Sequence, residues 1–261
     1  MQKLFYNTKN HTKKLCDFLF DLIFPIECLN CGKEKEWLCQ QCFSQIKINQ
    51  ESNCPNCGRK TYAGQYCIYC QDDFALKGIF IAGSYHDKIL KLAIKNLKYN
   101  LIKDLGIDLG KFLNIYWQNL EKNFLNKKPS QTIINSHLPH KLLQNPQNII
   151  VIPIPLHPIR FRFRGFNQSE IIAQKFVQTN NLKIETNKLI RRKNTKAQAK
   201  LNKNKRLQNI QNCFAWQGEA IKAKVILIDD VTSTGATLNE AAKIILDNGA
   251  QEVWGLVLAK N

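Results

Sequence analysis

The sequence predicts an α/β protein: a mostly parallel sheet with helical crossovers, preceded by a small cysteine-bound metal module. Three observations carry that expectation. Continuous apolar runs, typical of strands buried on both faces, stand at 149–155 (IIVIPIP) and 225–229 (VILID). The second run is followed by a helical pattern at 237–248 and another apolar strand at 252–259, which makes a βαβ unit. Eight of the ten cysteines fall into four Cys-x-x-Cys pairs between residues 28 and 70.

Taken in order, residues 1–27 read as a helical lead-in. Its apolar part, 15–26 (LCDFLFDLIFPI), is interrupted by Asp17 and Asp21 and lacks a small-residue cleavage site. It suits an amphipathic helix packed on its own protein; contact with a membrane surface is the other reading. No stretch is long enough to span a bilayer. Residues 28–72 form the cysteine module, and 78–261 form the main domain. In that domain 78–85 is a strand, and 87–118 has helical spacing with Ile89, Leu92, Ala93 and Leu97 on one face. The polar stretch 121–148 reads as a loop or insertion with room for a short helix. A helical pattern covers 168–178, and Gly249 is placed to stop the helix at 237–248.

The formal charge of +18 favours a polyanionic partner: a phosphate substrate, a nucleic acid or an acidic membrane. Half of it lies in 183–206, with ten Lys/Arg against one Glu. The 44% hydrophobic content excludes a disordered chain. With no export signal read, the cysteines belong to a reducing cytoplasm, where paired thiolates bind metal.

A Cys-x-x-Cys turn points two thiolates at one tetrahedral ion, so eight ligands suit two structural zinc ions. Sequential pairing joins Cys28, Cys31, Cys39 and Cys42, then Cys54, Cys57, Cys67 and Cys70. An interleaved arrangement is the alternative, and redox-active dithiols are the non-metal reading. Gly32 and Gly58 follow second cysteines, where a knuckle turn calls for positive φ. Cys16 and Cys213 stand alone and read as buried thiols. His86, His137, His140 and His157 read as non-ligands.

The segment 225–237 (VILIDDVTSTGAT) carries the clearest chemistry. A buried strand ends in Asp229 and Asp230. Then Thr232, Ser233, Thr234, Gly235, Ala236 and Thr237 lead into a helix. Hydroxyls, backbone N–H groups and a helix N-terminus there suit a phosphate. Adjacent acids suit two neighbouring ribose hydroxyls. No Gly-Lys-Ser/Thr follows, so this is not a Walker loop.

That pattern resembles the phosphoribosyl pyrophosphate (PRPP) signature of type I phosphoribosyltransferases. RFRGFNQSE at 162–170, just after VIPIPLH, resembles the signature of the ComF family, bacterial proteins linked to competence and DNA uptake. Gln198, Leu201, Arg206, Asn209, Phe214 and LKY at 97–99 agree with it. The resemblance implies a phosphoribosyltransferase-type sheet behind a double zinc ribbon. It implies that Asp229 and Asp230 hold the ribose hydroxyls and that Thr232 to Thr237 hold the 5′-phosphate. The turn after Pro153-Ile154-Pro155, with Arg164 as the catalytic candidate beside Arg160 and Arg162, would face the pyrophosphate. Mg²⁺ would ride on PRPP oxygens, and 183–206 would be a flap that excludes water.

Ser233 stands where purine-salvage enzymes carry a further acid, which argues against oxopurine chemistry. The N-terminus, MQKLFY, lacks an amidotransferase cysteine. Three functions follow as expectations. One is a PRPP-binding protein of DNA uptake that binds single-stranded DNA and works with the uptake machinery. The second is a soluble phosphoribosyltransferase of nucleotide metabolism, and the third is PRPP as a regulatory ligand. Phe161, Phe163 and Phe166 suit base stacking beside the basic residues, although core packing is their preferred reading.

Overall fold

The apolar runs do become strands, and they pair as the βαβ pattern requires. The computed structural model describes residues 25–126, 146–195 and 210–261. Strands β1 (Ile79–Ser84), β2 (Ile149–Pro153), β3 (Lys183–Ile184), β6 (Lys224–Thr232) and β7 (Glu252–Lys260) form one sheet in the order β1-β7-β6-β2-β3. Every pairing in it is parallel. β4 (Leu189–Arg191) and β5 (Phe214–Trp216) make a separate antiparallel ribbon. The α/β class with a parallel sheet, behind a cysteine-rich N-terminal region, agrees with the sequence expectation.

Helices cover both faces, which is why the central strands read as unbroken apolar runs. α2 (Lys88–Tyr99), α3 (Leu105–Asn126) and α5 (Gln168–Asn180) lie on one face, and α6 (Ala236–Asp247) lies on the other. Asp87 caps α2 by accepting from the Leu90 N–H at 2.9 Å. The helical spacing over 87–118 is thus divided between two helices. The break falls where Leu101 takes φ 58°, outside the helical region. α3 runs to Asn126, into the stretch expected to be a loop, and 127–145 lie outside the described residues.

Side chains alternate across β6 and β7. On the α2/α3/α5 face, Trp254 stacks on Phe80 at 5.1 Å; Trp117 meets Phe80 edge-on at 5.5 Å and Phe176 at 5.4 Å. On the opposite face Val225, Leu227, Val253 and Val257 pack with Leu238, Ala241 and Ile245 of α6. Cys54, Tyr66 and Cys70 belong to that same core.

The described chain separates into two compact units, one ending at Ile46 and the other running from Lys47 to Asn261. The first contains a knuckle turn and the short helix α1 (Gln40–Ser44). Among the described residues no helix is long and apolar enough to cross a membrane.

Trp254 is fully buried and stacked, so Trp254→Ala removes both area and ring contacts. The expected loss is about 3–5 kcal/mol of unfolding free energy. Urea denaturation checks it: the midpoint should fall with little change in slope. A loss below about 1 kcal/mol would mean that this aromatic stack is not the packing core.

Candidate functional site

The order of the sheet places the site before any side chain is considered. From β2 the chain moves outward to β3, then returns to add β6 on the other side of β2. Such a reversal leaves a crevice beyond the carboxyl ends of the two strands, where open α/β sheets bind ligands. β2 and β6 run in register to Pro153 and Ile228, and the Ile154 N–H donates to Ile228 O at 2.9 Å. Both chains then diverge. A cavity of about 260 Å³ opens there, lined by Ile154–Leu156 from one side and Asp229–Thr237 from the other.

Asp229 and Asp230 stand at the rim in different environments. Asp229 is half-buried, and its Oδ1 accepts from Ser169 Oγ and from the Asp230 N–H, both at 2.9 Å. Burial pushes its carboxyl above the usual range, against the pull of Lys98, Ser169 and Arg191. Asp230 is only 3% exposed; Lys98 of α2 forms an ion pair with it, and its Oδ1 accepts from the Val231 N–H at 2.8 Å. Desolvation draws the Lys98 ammonium down to about 8; Asp229 opposes that shift, and Arg164 and Arg160 add to it.

The hydroxyl-rich loop 232–237 follows. The Gly235 N–H donates to Thr232 Oγ1 at 3.1 Å, and the Ala236 N–H donates to Thr234 Oγ1 at 3.4 Å. Gly235 has φ 76°, the left-handed geometry that lets the loop turn directly into α6. Hydroxyls, N–H groups and the helix start therefore converge on one edge of the cavity.

The opposite wall is a helix that the sequence reading did not find. α4 (Pro158–Arg164) begins after His157, whose Nδ1 accepts from the Ile159 N–H at 3.3 Å, and ends at Gly165 with φ 78°. Arg160 and Arg164, one turn apart, both line the cavity; Arg162 does not and is exposed. Arg164 bonds Gln168 Oε1, while Arg160 reaches Thr195 O. Burial lowers the Arg164 pKa, with Tyr99 opposing the shift. Arg191 of β4 also lines the site, bonds Thr195 Oγ1 at 2.6 Å and lies 5.4 Å from the Phe214 ring. Four cations thus face two carboxylates, an excess that suits a polyphosphate.

Of the residues singled out by sequence, Arg164, Asp229, Asp230 and Thr232–Thr237 are brought together. Lys98, Ser169 and Arg191 join them without having been assigned a role; Lys98 stood within the LKY match. In the basic stretch 183–206 the described part forms β3 and β4, and 196–206 lie outside the described residues, as do Gln198, Leu201, Arg206, Asn209, Cys16, His137 and His140. The core-packing reading of the phenylalanines is corrected for two of them. Phe161 is 46% exposed and Phe163 80%, because α4 turns only its arginine face inward. Phe166 is half-buried. Cys213 is buried, as expected, which pushes its thiol up to about 11.

The cysteines form two clusters by sequential pairing, each with its four Sγ atoms within 4.8 Å of one another. A Zn–S bond of about 2.3 Å implies Sγ–Sγ edges of about 3.8 Å. The Cys31–Cys39 and Cys57–Cys67 separations are 3.6 and 3.5 Å. Both clusters repeat one device. Asn30 Nδ2 donates to Cys42 Sγ and Asn56 Nδ2 to Cys70 Sγ, each at 3.4 Å, as donors to thiolate ligands do. Burial raises the Cys28 thiol pKa, but hydrogen bonds from the Cys39, Asn30 and Cys31 backbone outweigh it and bring it to about 6. Gly32 and Gly58 take φ 75° and 77° in the two knuckles. The donor sets fit two structural zinc ions with all ligands from protein.

Residues 19–71 match the family model of the double zinc ribbon domain. Competence protein F of Haemophilus influenzae is 28% identical over 247 residues, covering 90% of this chain and 98% of that protein. Competence protein ComFC of Streptococcus pneumoniae is 30% identical over 217 residues, covering 83% of this chain and 84% of that one. The DNA utilization protein YhgH of Escherichia coli O157:H7 is 24% identical over 222 residues, covering 84% and 89%.

Native mass spectrometry is expected to show two zinc ions per chain, each lost on exhaustive chelation. A folded protein that carries no metal after purification in zinc-containing buffer would contradict the assignment.

Proposed function

Because the chain belongs to the ComF family of competence proteins, we propose that it binds PRPP and acts in DNA uptake on the cytoplasmic side, with single-stranded DNA as its polyanionic partner. One observation carries the PRPP reading: paired carboxylates, a hydroxyl-rich turn and four cations meet at the switch point of a parallel sheet. In that reading Asp229 and Asp230 accept from the ribose hydroxyls. Thr232, Ser233, Thr234, Gly235, Ala236 and Thr237 hold the 5′-phosphate. Arg160 and Arg164 face the pyrophosphate, and a Mg²⁺ ion would be carried mainly by the PRPP oxygens and would offset their charge. The same cations suit the charge that develops on a departing pyrophosphate. They therefore also support a phosphoribosyltransferase of nucleotide metabolism, tested by pyrophosphate release with a panel of bases and amines.

The DNA reading draws on exposed groups elsewhere on the same unit. Ile159, Phe161 and Phe163 stand out from α4 between its arginines. In the Cys67–Cys70 turn Ile68 and Tyr69 are exposed, and Arg59 lies 4.4 Å from the Tyr69 ring centre. Alternating cations and exposed rings are what backbone tracking and base stacking require.

Calorimetry should show PRPP binding to the wild type, with Asp229→Asn/Asp230→Asn weaker by more than about tenfold, since charged hydrogen bonds contribute about 1.5–3 kcal/mol each. The ligand is an anion, so it favours the protonated Lys98. Affinity is then complete below a pH of about 8 and declines as pH rises through it, and Lys98→Arg should flatten the decline. No heat with wild type and PRPP–Mg²⁺ would remove this reading.

Filter binding with single-stranded DNA should weaken steeply between about 50 and 200 mM salt. Phe161→Ala/Phe163→Ala should cost about 1–3 kcal/mol per lost stack. Absent affinity at low salt would remove the DNA partner and leave PRPP binding untouched.

A further inference from the structure

The second cysteine cluster lies in the same compact unit as the sheet, and its side chains reach the floor of the phosphate loop. Tyr66, next to the ligand Cys67, is 5% exposed and stacks on Phe74 at 4.0 Å. Its Oη is 3.0 Å from where a Cβ on Gly235 would stand, and it has no hydrogen-bond partner among the described residues. The turn before Tyr66 is pinned in turn. Gly64 has φ 71°, any Cβ on it would lie 2.4 Å from Ile79 O, and its own carbonyl accepts from the Ile79 N–H at 2.9 Å.

The elements that flank the loop, α6 and β7, are tied to the same ribbon. On the helix side, Asn239 Oδ1 of α6 accepts from the Ala75 N–H at 2.7 Å. On the strand side, Lys260 Nζ donates to Pro55 O, inside the Cys54–Cys57 knuckle, at 2.8 Å. The next residue, Asn261, donates its N–H to Thr232 O at 2.9 Å. The ribbon thus touches the loop at its glycine through Tyr66, and it bonds the end of β7, whose next residue holds the loop's start, and the first turn of α6 that follows the loop.

We infer that the second cysteine cluster, with Tyr66 as the positioning residue, holds the phosphate loop in its binding geometry, so that metal at Cys54, Cys57, Cys67 and Cys70 and phosphate at 232–237 are thermodynamically coupled. The inference rests on the reading of 232–237 as a phosphate site. A cluster of this size keeps its shape through its metal. Loss of the metal releases Cys67 and Cys70 and with them the ring under Gly235. Coupling is reciprocal, so PRPP must tighten this zinc by the factor by which this zinc tightens PRPP. The cluster at Cys28, Cys31, Cys39 and Cys42, in the other unit, serves as the control.

The test uses the full zinc-loaded chain in equilibrium competition with a zinc chelator, with and without saturating PRPP–Mg²⁺. One of the two zinc ions should bind at least about fivefold more tightly with PRPP, and the other should not change. Tyr66→Phe keeps the ring stacked on Phe74 but loses the atom nearest Gly235, so it should reduce this effect, and Tyr66→Ala should abolish it while weakening PRPP binding. A second readout needs no ligand. Amide hydrogen exchange at 232–237 should quicken in Cys70→Ser and stay unchanged in Cys42→Ser. If Cys70→Ser does not fold, wild type partly stripped by chelator gives the same comparison. PRPP binding with both zinc affinities unmoved, or a Tyr66→Ala variant that behaves as wild type, overturns the inference. If the wild type fails to bind PRPP, the functional reading falls separately. The exchange experiment then decides the coupling, and unchanged exchange after zinc loss overturns it.

Discussion

Asp230 is a carboxylate almost without solvent near the carboxyl end of a largely buried strand, and the ion pair it makes with Lys98 is what makes that position tolerable. An unpaired charge there would cost several kcal/mol. Lys98 comes from α2, far from β6 in sequence, so the pair also ties a helix of one face to the carboxyl edge of the sheet. Asp229 receives Ser169 from the start of α5 in the same way. The two acids therefore join, at the edge of the crevice, elements that share no local sequence. Ligand chemistry and local stability are joined at these atoms.

The cation excess has a similar double character. Arg160, Arg164 and Arg191 are each partly withdrawn from water, and their hydrogen bonds go to Thr195 and Gln168 rather than to acids. A cation held by neutral acceptors retains most of its field for an incoming anion. An arginine already neutralised by a carboxylate would not. The arrangement thus stores positive potential where the sheet topology has left room for a ligand.

The two cysteine clusters use one local design, a knuckle with an asparagine donor to the fourth thiolate, in two structural settings. The first cluster belongs to the unit that ends at Ile46. The second contributes Cys54 and Cys70 to the core beneath α6. A zinc site that forms part of a larger core can shape that core's surface, and the hydroxyl-rich loop 232–237 is part of that surface.

Much of this was legible in the chain itself, because the physics involved is local. Apolar runs long enough for a strand, hydroxyls beside a helix start and thiolates two residues apart all depend on neighbours in sequence. They yielded the parallel sheet, the cysteine ligands and the two acids. α4 was missed although its cues were present, a proline at its start and Gly165 at its end, because Phe-Arg-Phe-Arg alternates like a strand. Its phenylalanines looked like core, yet a seven-residue helix can present only one face to a cavity, and here that face is arginine. The order of strands, the meeting of Lys98 with Asp230 and the seat of Tyr66 beneath Gly235 were decided only by the tertiary structure. Each joins elements dozens of residues apart, and only the packing of the whole unit brings them together.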